Sequence, residues 1–406
     1  MPSRTAPFRG HRIPDGLRDW LPDEWGRVRA LEARLRALFG AWGYCEVATP
    51  VLECLDSVAR GIGQTPQDWF VVVDRTGELL VLRPEMTVPM ARLAAGHLTG
   101  RTVRLCYFAE VFRGRRARGA AREFRQAGVE RIGDRGCEAD GEVIALAAHA
   151  LREAGVRDFR IGVGHVGLLR ALLEAAGLDA GDRHTAQVLL YRRDFVTLRG
   201  LLAGSPARVR DVIFSLPELR GGDASAAVRD VGVGAEAVAE VDAVLATLPA
   251  FGVGDAVEMD LGLIRDFDYY TGVVFEGYTR GLGLPLLGGG RYDELLGRFG
   301  ADRPAMGFAI ELERVLPAAD ALAERRPALQ IVYEPQARAA ALDVARRARD
   351  AGWAVTVDPH PAEPLGGAPT LAFTTAGVRL SDPDGTQREV PGAHWQQIRG
   401  LLDGAR

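Results

Sequence analysis

The sequence predicts an α+β fold in which an antiparallel sheet is flanked by helices. Two apolar runs, at residues 70–73 and 79–82, are separated by a short segment that ends in Gly77, which is the pattern of a β-hairpin. Further strand-like segments are more numerous than a regular alternation of strands and helices would give. Between about residues 166 and 250 the pattern changes to Leu- and Ala-rich helical periodicity. We therefore expect a helical insertion within a sheet domain.

The first predicted element is an amphipathic helix that begins near Pro22 and ends before Gly43. Val28, Leu31 and Leu35 recur at spacings of three and four residues, so one face of this helix is expected to be buried. Residues 44–50 then alternate as a strand and end at a proline, which favours a sheet edge and contact with a second subunit. A helix is predicted at residues 90–98, and further strands are predicted at 103–109, 124–132, 159–163, 255–263, 273–277 and 305–310.

The last part of the chain is predicted to be a separate small α/β domain. Its boundary is expected near Pro327, between a domain at residues 1–325 and one at 328–406. The predicted elements of the second domain are strands at 329–333, 353–357, 370–373 and 378–380 and a helix at 336–351. This domain contains eight Arg and nine Asp or Glu residues. It therefore lacks the positive charge that binds an RNA backbone.

Composition excludes several kinds of chemistry. All 50 basic residues of the 406-residue chain are Arg, so no Lys is present to form a Schiff base or to bind phosphate in a P-loop. The four Cys residues include no Cys-x-x-Cys pair, which argues against a zinc site and a disulfide framework. The net charge of -4 provides no positive field for nucleic acid. No segment has the pattern of a signal peptide or a membrane span, so we expect a cytoplasmic protein without metal or cofactor.

Two polar side chains precede the helix predicted at residues 90–98. Glu85 and Thr87 lie two residues apart where a strand gives way to a helix, and there they can direct a carboxylate and a hydroxyl into one cleft. The same residues also have the pattern of an N-terminal helix cap, in which side-chain oxygens accept hydrogen bonds from the first turn. The sequence leaves both interpretations open.

A dense run of arginines begins at Arg113 and continues to Arg125. Guanidinium groups bind phosphate and carboxylate in a bidentate manner, so the run is suited to an anion, although a solvated hairpin tip would have the same composition. In the strand that follows, Gln126 and Glu130 lie on one face because alternate residues of a strand point the same way. Polar residues on one face between apolar ones indicate a lined pocket.

Two later segments also carry candidate ligand contacts. Tyr269 and Tyr270 precede a predicted strand, and adjacent residues of an extended strand point to opposite faces. One tyrosine is therefore expected to pack in the core, and the other is expected to present its hydroxyl to a ligand. Residues 288–290 are three consecutive glycines, which permit close backbone approach but which alone indicate only a turn.

Taken in order, these segments resemble histidyl-tRNA synthetase, a class II aminoacyl-tRNA synthetase. The resemblance extends from Ile13-Pro14-Asp15-Gly16 to about residue 315. It implies a class II synthetase-like antiparallel sheet flanked by helices, with a helical insertion and a small C-terminal α/β domain. It also implies a histidine pocket that holds the ammonium, carboxylate and imidazole groups of the ligand. The positions assigned to this pocket are Glu85, Thr87, Gln126, Glu130, Arg265, Tyr269 and Tyr270.

The nucleotide site departs from the synthetase pattern. Arg113 and Arg314 are retained, but Arg115 stands where the family has Glu, and Ala120 stands where it has Arg. Glu311 replaces a family glycine, and a carboxylate beside a polyphosphate is repulsive. The resemblance therefore implies a vestigial nucleotide site around Arg113 and Arg314, without catalytic residues.

A retained histidine pocket beside altered nucleotide and anticodon sites is similar to the regulatory subunits of ATP phosphoribosyltransferase. That family implies a non-catalytic protein that activates a short catalytic subunit in the first step of histidine biosynthesis and transmits feedback by L-histidine. It further implies a homodimer within a hetero-oligomer, with no tRNA and no membrane as partner. Two alternatives stay open. One is an active histidyl-tRNA synthetase, and the other is a non-catalytic RNA-binding module, which the near-neutral C-terminal domain disfavours.

Overall fold

A computed structural model describes residues 12–62, 69–98, 100, 102–114, 121–263, 269–319, 328–359, 368–390 and 394–403. The chain divides into two units, Met1–Leu322 and Ala323–Arg406. The described helices are α1 (Pro22–Ala41), α2 (Leu55–Ile62), α3 (Thr87–His97), α4 (Cys137–Glu153), α5 (Val166–Ala175), α6 (Ala180–Tyr191), α7 (Phe195–Leu201), α8 (Ala207–Ser215), α9 (Gly221–Val231), α10 (Ala235–Thr247), α11 (Leu312–Val315), α12 (Arg338–Asp350) and α13 (Trp395–Asp403). Within the described residues, no helix is long and apolar enough to span a bilayer.

The described strands fall into three sheets. They are β1 (Cys45–Glu46), β2 (Leu52–Cys54), β3 (Val71–Val73), β4 (Leu79–Leu82), β5 (Val103–Phe112), β6 (Glu123–Ile132), β7 (Phe159–His165), β8 (Val257–Met259), β9 (Val273–Thr279), β10 (Leu287–Arg291), β11 (Ala305–Glu311), β12 (Ala328–Tyr333), β13 (Ala354–Pro359), β14 (Thr370–Thr374), β15 (Gly377–Ser381) and β16 (Gln387–Val390).

Eight of these strands form the main sheet of the first unit, in the order β1-β5-β6-β11-β10-β9-β7-β8. The six central strands pair antiparallel, which confirms the predicted fold class. The two edge pairs, β1 with β5 and β7 with β8, are parallel, so the sheet is mixed. Parallel neighbours need a long crossover connection, and helices α5 to α10 supply it between β7 and β8.

Helices α1 and α4 pack on one face of the main sheet. Val28, Leu31 and Leu35, which carry the periodic pattern of α1, are buried in the same apolar cluster as the residues of α4. Arg291, at the end of β10, forms a buried ion pair with Asp140 of α4. This pair holds α4 against the centre of the sheet, because breaking a buried ion pair leaves an uncompensated charge.

The smaller sheets also follow the sequence pattern. The predicted hairpin is present as β3 and β4, which join β2 in a three-stranded antiparallel sheet. In the second unit the order is β13-β12-β14-β15-β16, and α12 buries its apolar face against this sheet. Strand β16 and helix α13 have no counterpart among the predicted elements.

The glycine run at residues 288–290, for which the sequence left close backbone approach and a simple turn open, lies in β10 at the centre of the main sheet. A Cβ atom at Gly289 would lie 2.1 Å from the carbonyl oxygen of Gly307, and a Cβ atom at Gly290 would lie 2.7 Å from that of Val273. The close backbone approach that the glycines permit is therefore present, and it is made to neighbouring strands and not within a local turn.

Replacing Gly289 with Ala is expected to lower the free energy of unfolding by about 2–3 kcal/mol, because the added methyl group meets backbone atoms that are fixed in the sheet. The matched control is Gly96→Ala in α3, where no atom lies within 4 Å of the added Cβ. This control is expected to be neutral or to stabilise by up to about 1 kcal/mol. Urea denaturation measures both changes, and equal unfolding free energies for the two variants would contradict the close approach.

Candidate functional site

A cavity of about 280 Å³ lies against the main sheet. Gln126 lines it from β6, whereas the neighbouring Ala127 and Val129 belong to the apolar cluster that contains α4. Because alternate residues of a strand point to opposite faces, the cavity is on the face away from α4. We call this cavity the acidic pocket, and its walls include Glu85, Thr87, Gln126, Tyr269, Tyr270 and Tyr292.

Glu130 lies next to the acidic pocket on β6 and is 1% exposed. Tyr292 donates a hydrogen bond to its carboxylate, and the Thr87 side chain also hydrogen-bonds to it. Burial raises the pKa of Glu130 to about 8, and the charge of Glu85 acts in the same direction, whereas the two hydrogen bonds lower it. The carboxyl group is thus poised to change its protonation state near neutral pH.

Glycines on two strands make room for the Glu130 carboxyl group and for the ring of Tyr107. Gly307 pairs with Glu130 across β11 and β6, and a Cβ atom at Gly307 would lie 1.8 Å from Glu130 Oε2. A Cβ atom at Gly128 would lie 2.3 Å from the hydroxyl oxygen of Tyr107. The positions without side chains therefore admit the Glu130 carboxyl group and the Tyr107 ring at the sheet surface.

Glu85 has both of the roles that the sequence left open. Its carboxylate accepts hydrogen bonds from the backbone N–H groups of Thr87, at 2.6 Å, and Val88, at 2.9 Å, so it caps the first turn of α3. It also lines the acidic pocket. Burial raises the pKa of Glu85 to about 7, although the two backbone hydrogen bonds and the charge of Arg113 oppose this shift.

The two adjacent tyrosines depart from the prediction that only one of them faces the ligand. Tyr269 and Tyr270 both line the acidic pocket, and their ring centroids are 4.7 Å apart. The expectation of opposite faces was wrong because β9 begins at Val273, so the tyrosines lie in an irregular segment before the strand. Tyr292 packs edge-on against Tyr269 at 5.9 Å.

Two arginines line one side of the acidic pocket. Arg113 Nε donates a hydrogen bond to the carbonyl oxygen of Pro84 at 3.1 Å. Arg314 forms an ion pair with Glu311 at 2.7 Å and donates to the carbonyl oxygen of Pro285 at 2.9 Å. A carboxylate that already pairs with Arg314 reduces the positive charge available to a phosphate group.

Five of the seven predicted pocket residues line the acidic pocket, and a sixth, Glu130, lies next to it. The seventh, Arg265, lies outside the described residues, as do Arg115 and Ala120, so their predicted roles stay predictions. Four polar lining residues, Tyr107, Tyr191, Glu276 and Tyr292, were not assigned to the pocket from the sequence. Tyr107 and Glu276 lie in predicted strands and Tyr292 follows the glycine run, but nothing in the local pattern marked any of the four as a pocket residue. In the described ranges no three His, Cys, Asp or Glu side chains are grouped to hold a metal ion.

The chain is similar to known proteins in sequence and in structure. The family model for histidyl-tRNA synthetase matches residues 16–315. A Symbiobacterium thermophilum protein named ATP phosphoribosyltransferase regulatory subunit is 45% identical over 87% of this chain and 92% of its own length. A Bacillus halodurans structure, described as an ATP phosphoribosyltransferase regulatory subunit/histidyl-tRNA synthetase, has a TM-score of 0.81 and 32% identity over 91% of this chain and 99% of that one.

A more distant structure shares the fold alone. The histidyl-tRNA synthetase of a Nostoc species has a TM-score of 0.79 with 20% identity, and the match covers 97% of this chain and 99% of that one. The fold is therefore common to proteins of different names, so residues of the site must distinguish their activities.

Glu130→Gln is expected to flatten the pH dependence of stability. A carboxyl group whose pKa rises from 4.5 to about 8 on folding binds its proton more tightly in the folded state, so the free energy of unfolding falls as pH rises through this interval. The Glu85 carboxyl group also makes the free energy of unfolding fall as pH rises, up to about pH 7. Above that pH we attribute the fall in the free energy of unfolding to Glu130. Urea denaturation between about pH 5 and pH 9 measures the slope. Glu153→Gln, at an exposed carboxylate of α4, is the control, and a wild-type slope in Glu130→Gln would refute this assignment.

Proposed function

The chain belongs to the family of ATP phosphoribosyltransferase regulatory subunits, and from this premise we propose that it binds L-histidine in the acidic pocket and regulates a short catalytic subunit. That catalytic subunit carries out the first step of histidine biosynthesis, and the bound histidine provides feedback. The observation that carries the proposal is the pair of buried carboxyl groups, with Glu85 on the wall of the tyrosine-rich cavity of about 280 Å³ and Glu130 next to it.

The chemistry of this pair favours an amino acid with a basic side chain. A buried carboxyl group with a raised pKa is stabilised in its charged form by a cation or by N–H donors. Histidine offers an ammonium group and an imidazole with an ordinary pKa of about 6.5. We propose that Glu130 and Tyr270 contact the imidazole of the ligand. Its ammonium and carboxylate groups are bound by Glu85, Thr87 and Gln126. Arg265 is proposed to lie beside the ligand carboxylate, and Tyr269 is adjacent to Tyr270.

We further propose that the protein does not activate histidine with ATP. Glu311 holds Arg314 in an ion pair at 2.7 Å, and it lies on the pocket wall together with Arg113. A polyphosphate would have to approach this carboxylate and compete for the guanidinium group. The arginines Arg113 and Arg314 are therefore the remnant of a nucleotide site, and the protein needs neither cofactor nor tRNA.

The proposed partners are the short catalytic subunit and a second copy of this chain. Exposed apolar side chains on both faces of the three-stranded sheet and beside it support the second copy, because exposed apolar surface favours a protein interface. These side chains are Val51, Leu52, Val71, Val72, Val73 and Leu79. The edge strand β3 also offers unpaired backbone groups to a neighbour. A monomeric species in sedimentation velocity would exclude this homodimer.

L-Histidine is expected to raise the melting temperature of the wild-type protein, because a ligand selective for the folded state stabilises it by about 2.7 kcal/mol at 100 times its Kd. Glu130→Gln is expected to lose this shift, since an amide cannot supply the charge that a protonated imidazole requires. Glu153→Gln, on the exposed end of α4, should retain the shift. A melting temperature that does not respond to histidine in the wild type would exclude the pocket assignment.

Addition of the purified protein to a short phosphoribosyltransferase catalytic subunit is expected to increase the rate of phosphoribosyl transfer to ATP, and histidine is expected to reduce that rate. The same preparation should show no histidine-dependent exchange of pyrophosphate into ATP, because of the Glu311–Arg314 ion pair. An active histidyl-tRNA synthetase would give the opposite pair of results, so the two assays together separate the alternatives.

A further inference from the structure

Tyr191 connects the helical insertion to the acidic pocket. It is the last residue of α6, and among the described residues it is the lining residue that the segment between β7 and β8 contributes to this cavity. The other described walls belong to the sheet, to the start of α3, to α11 and to the segments that flank the strands. Tyr191 is nevertheless 57% exposed, so its ring has contact area to gain from a bound molecule.

A second cavity of about 560 Å³ adjoins the acidic pocket. Tyr191, Glu276 and Pro285 line both cavities, so the tyrosine ring lies between two compartments. The other lining residues of the second cavity include charged side chains of β7, β8 and the insertion, namely Arg160, Glu258 and Arg220. The Tyr191 ring therefore adjoins open space in both cavities.

The backbone after Tyr191 ties it to the next helix. The N–H of Arg193 bonds to the carbonyl oxygen of Leu190 at 3.0 Å, and that of Asp194 bonds to Leu189 at 2.9 Å, which is the Schellman pattern of a helix end. Arg193 has a φ of +56°, in the left-handed region where glycine is usual. Asp194 then caps α7 by accepting from the N–H of Thr197 at 3.1 Å. Tyr191 is thus at a short, hydrogen-bonded junction between α6 and α7.

We propose that Tyr191 closes the acidic pocket over the bound amino acid and that this contact reports occupancy to helices α6 and α7. The inference rests on the proposed histidine site and adds to it a binding residue and a responding segment. The ring packs on the imidazole or ammonium group of the ligand, since the face of an aromatic ring attracts a cation and excludes water from the carboxylates below. Ligand binding consequently favours the position of the insertion in which Tyr191 is over the pocket.

The test compares Tyr191→Ala, Tyr191→Phe and Val196→Ala in the full-length chain. Val196, in α7, is 86% exposed and is the control within the same insertion. Calorimetry with L-histidine measures affinity, and hydrogen exchange of peptides from α6 and α7 measures the response. We expect histidine to slow exchange in the wild type, in Tyr191→Phe and in Val196→Ala. Tyr191→Ala should bind roughly tenfold more weakly and lose the protection.

The outcomes distinguish this inference from the proposed function. If the wild type binds histidine and Tyr191→Ala matches it in affinity and in protection, the role of Tyr191 is refuted while the pocket assignment stands. If the wild type does not bind histidine, the proposed function fails and the inference fails with it. Melting temperatures test whether the protein with Tyr191→Ala remains folded. Tyr191→Phe separates the contribution of the ring to binding from that of the hydroxyl group.

Discussion

The burial of two carboxyl groups at one cavity, one on its wall and one next to it, is the constraint on which the rest of the site depends. Glu85 and Glu130 are both nearly inaccessible to water, and burial disfavours their charged forms. The N-terminus of α3 supplies N–H donors to Glu85, and Tyr292 donates to Glu130. These contacts offset only part of the desolvation, because the pKa values remain raised to about 7 and about 8.

This constraint also explains the glycines of the central strands. The Glu130 carboxyl group occupies space that a side chain at Gly307 would need, and the Tyr107 ring does the same at Gly128. A sheet usually weakens where glycine replaces a β-branched residue. Here the glycines lie in the middle of an eight-stranded sheet with neighbours on both sides, so the surrounding strands hold their backbone in place.

The carboxyl groups at the acidic pocket differ in their partners. Glu85 accepts hydrogen bonds from backbone N–H groups and is influenced by the charge of Arg113, and Glu130 accepts from hydroxyl groups. Glu311, by contrast, forms an ion pair with Arg314. The first arrangement suits a small cationic ligand, and the second is poorly suited to a polyanion. The helical insertion joins β7 to β8 and reaches the acidic pocket through Tyr191. Part of the pocket wall therefore lies outside the sheet.

The sequence by itself determined the order and type of most elements, since the periodicity of α1, the alternation in β6 and the hairpin of β3 and β4 are local properties of the chain. Motif order also identified the family and placed Glu85, Thr87, Gln126 and Glu130 in one site. Only the tertiary structure decided that the glycine run at residues 288–290 is a central strand and that Tyr269 and Tyr270 share a cavity. The same holds for the approach of Tyr191 and Tyr292 to the pocket and for the Glu311–Arg314 ion pair. The physical reason is that each of these features depends on contacts with, or placement by, other strands and helices, and such contacts leave no periodic signal in the local sequence.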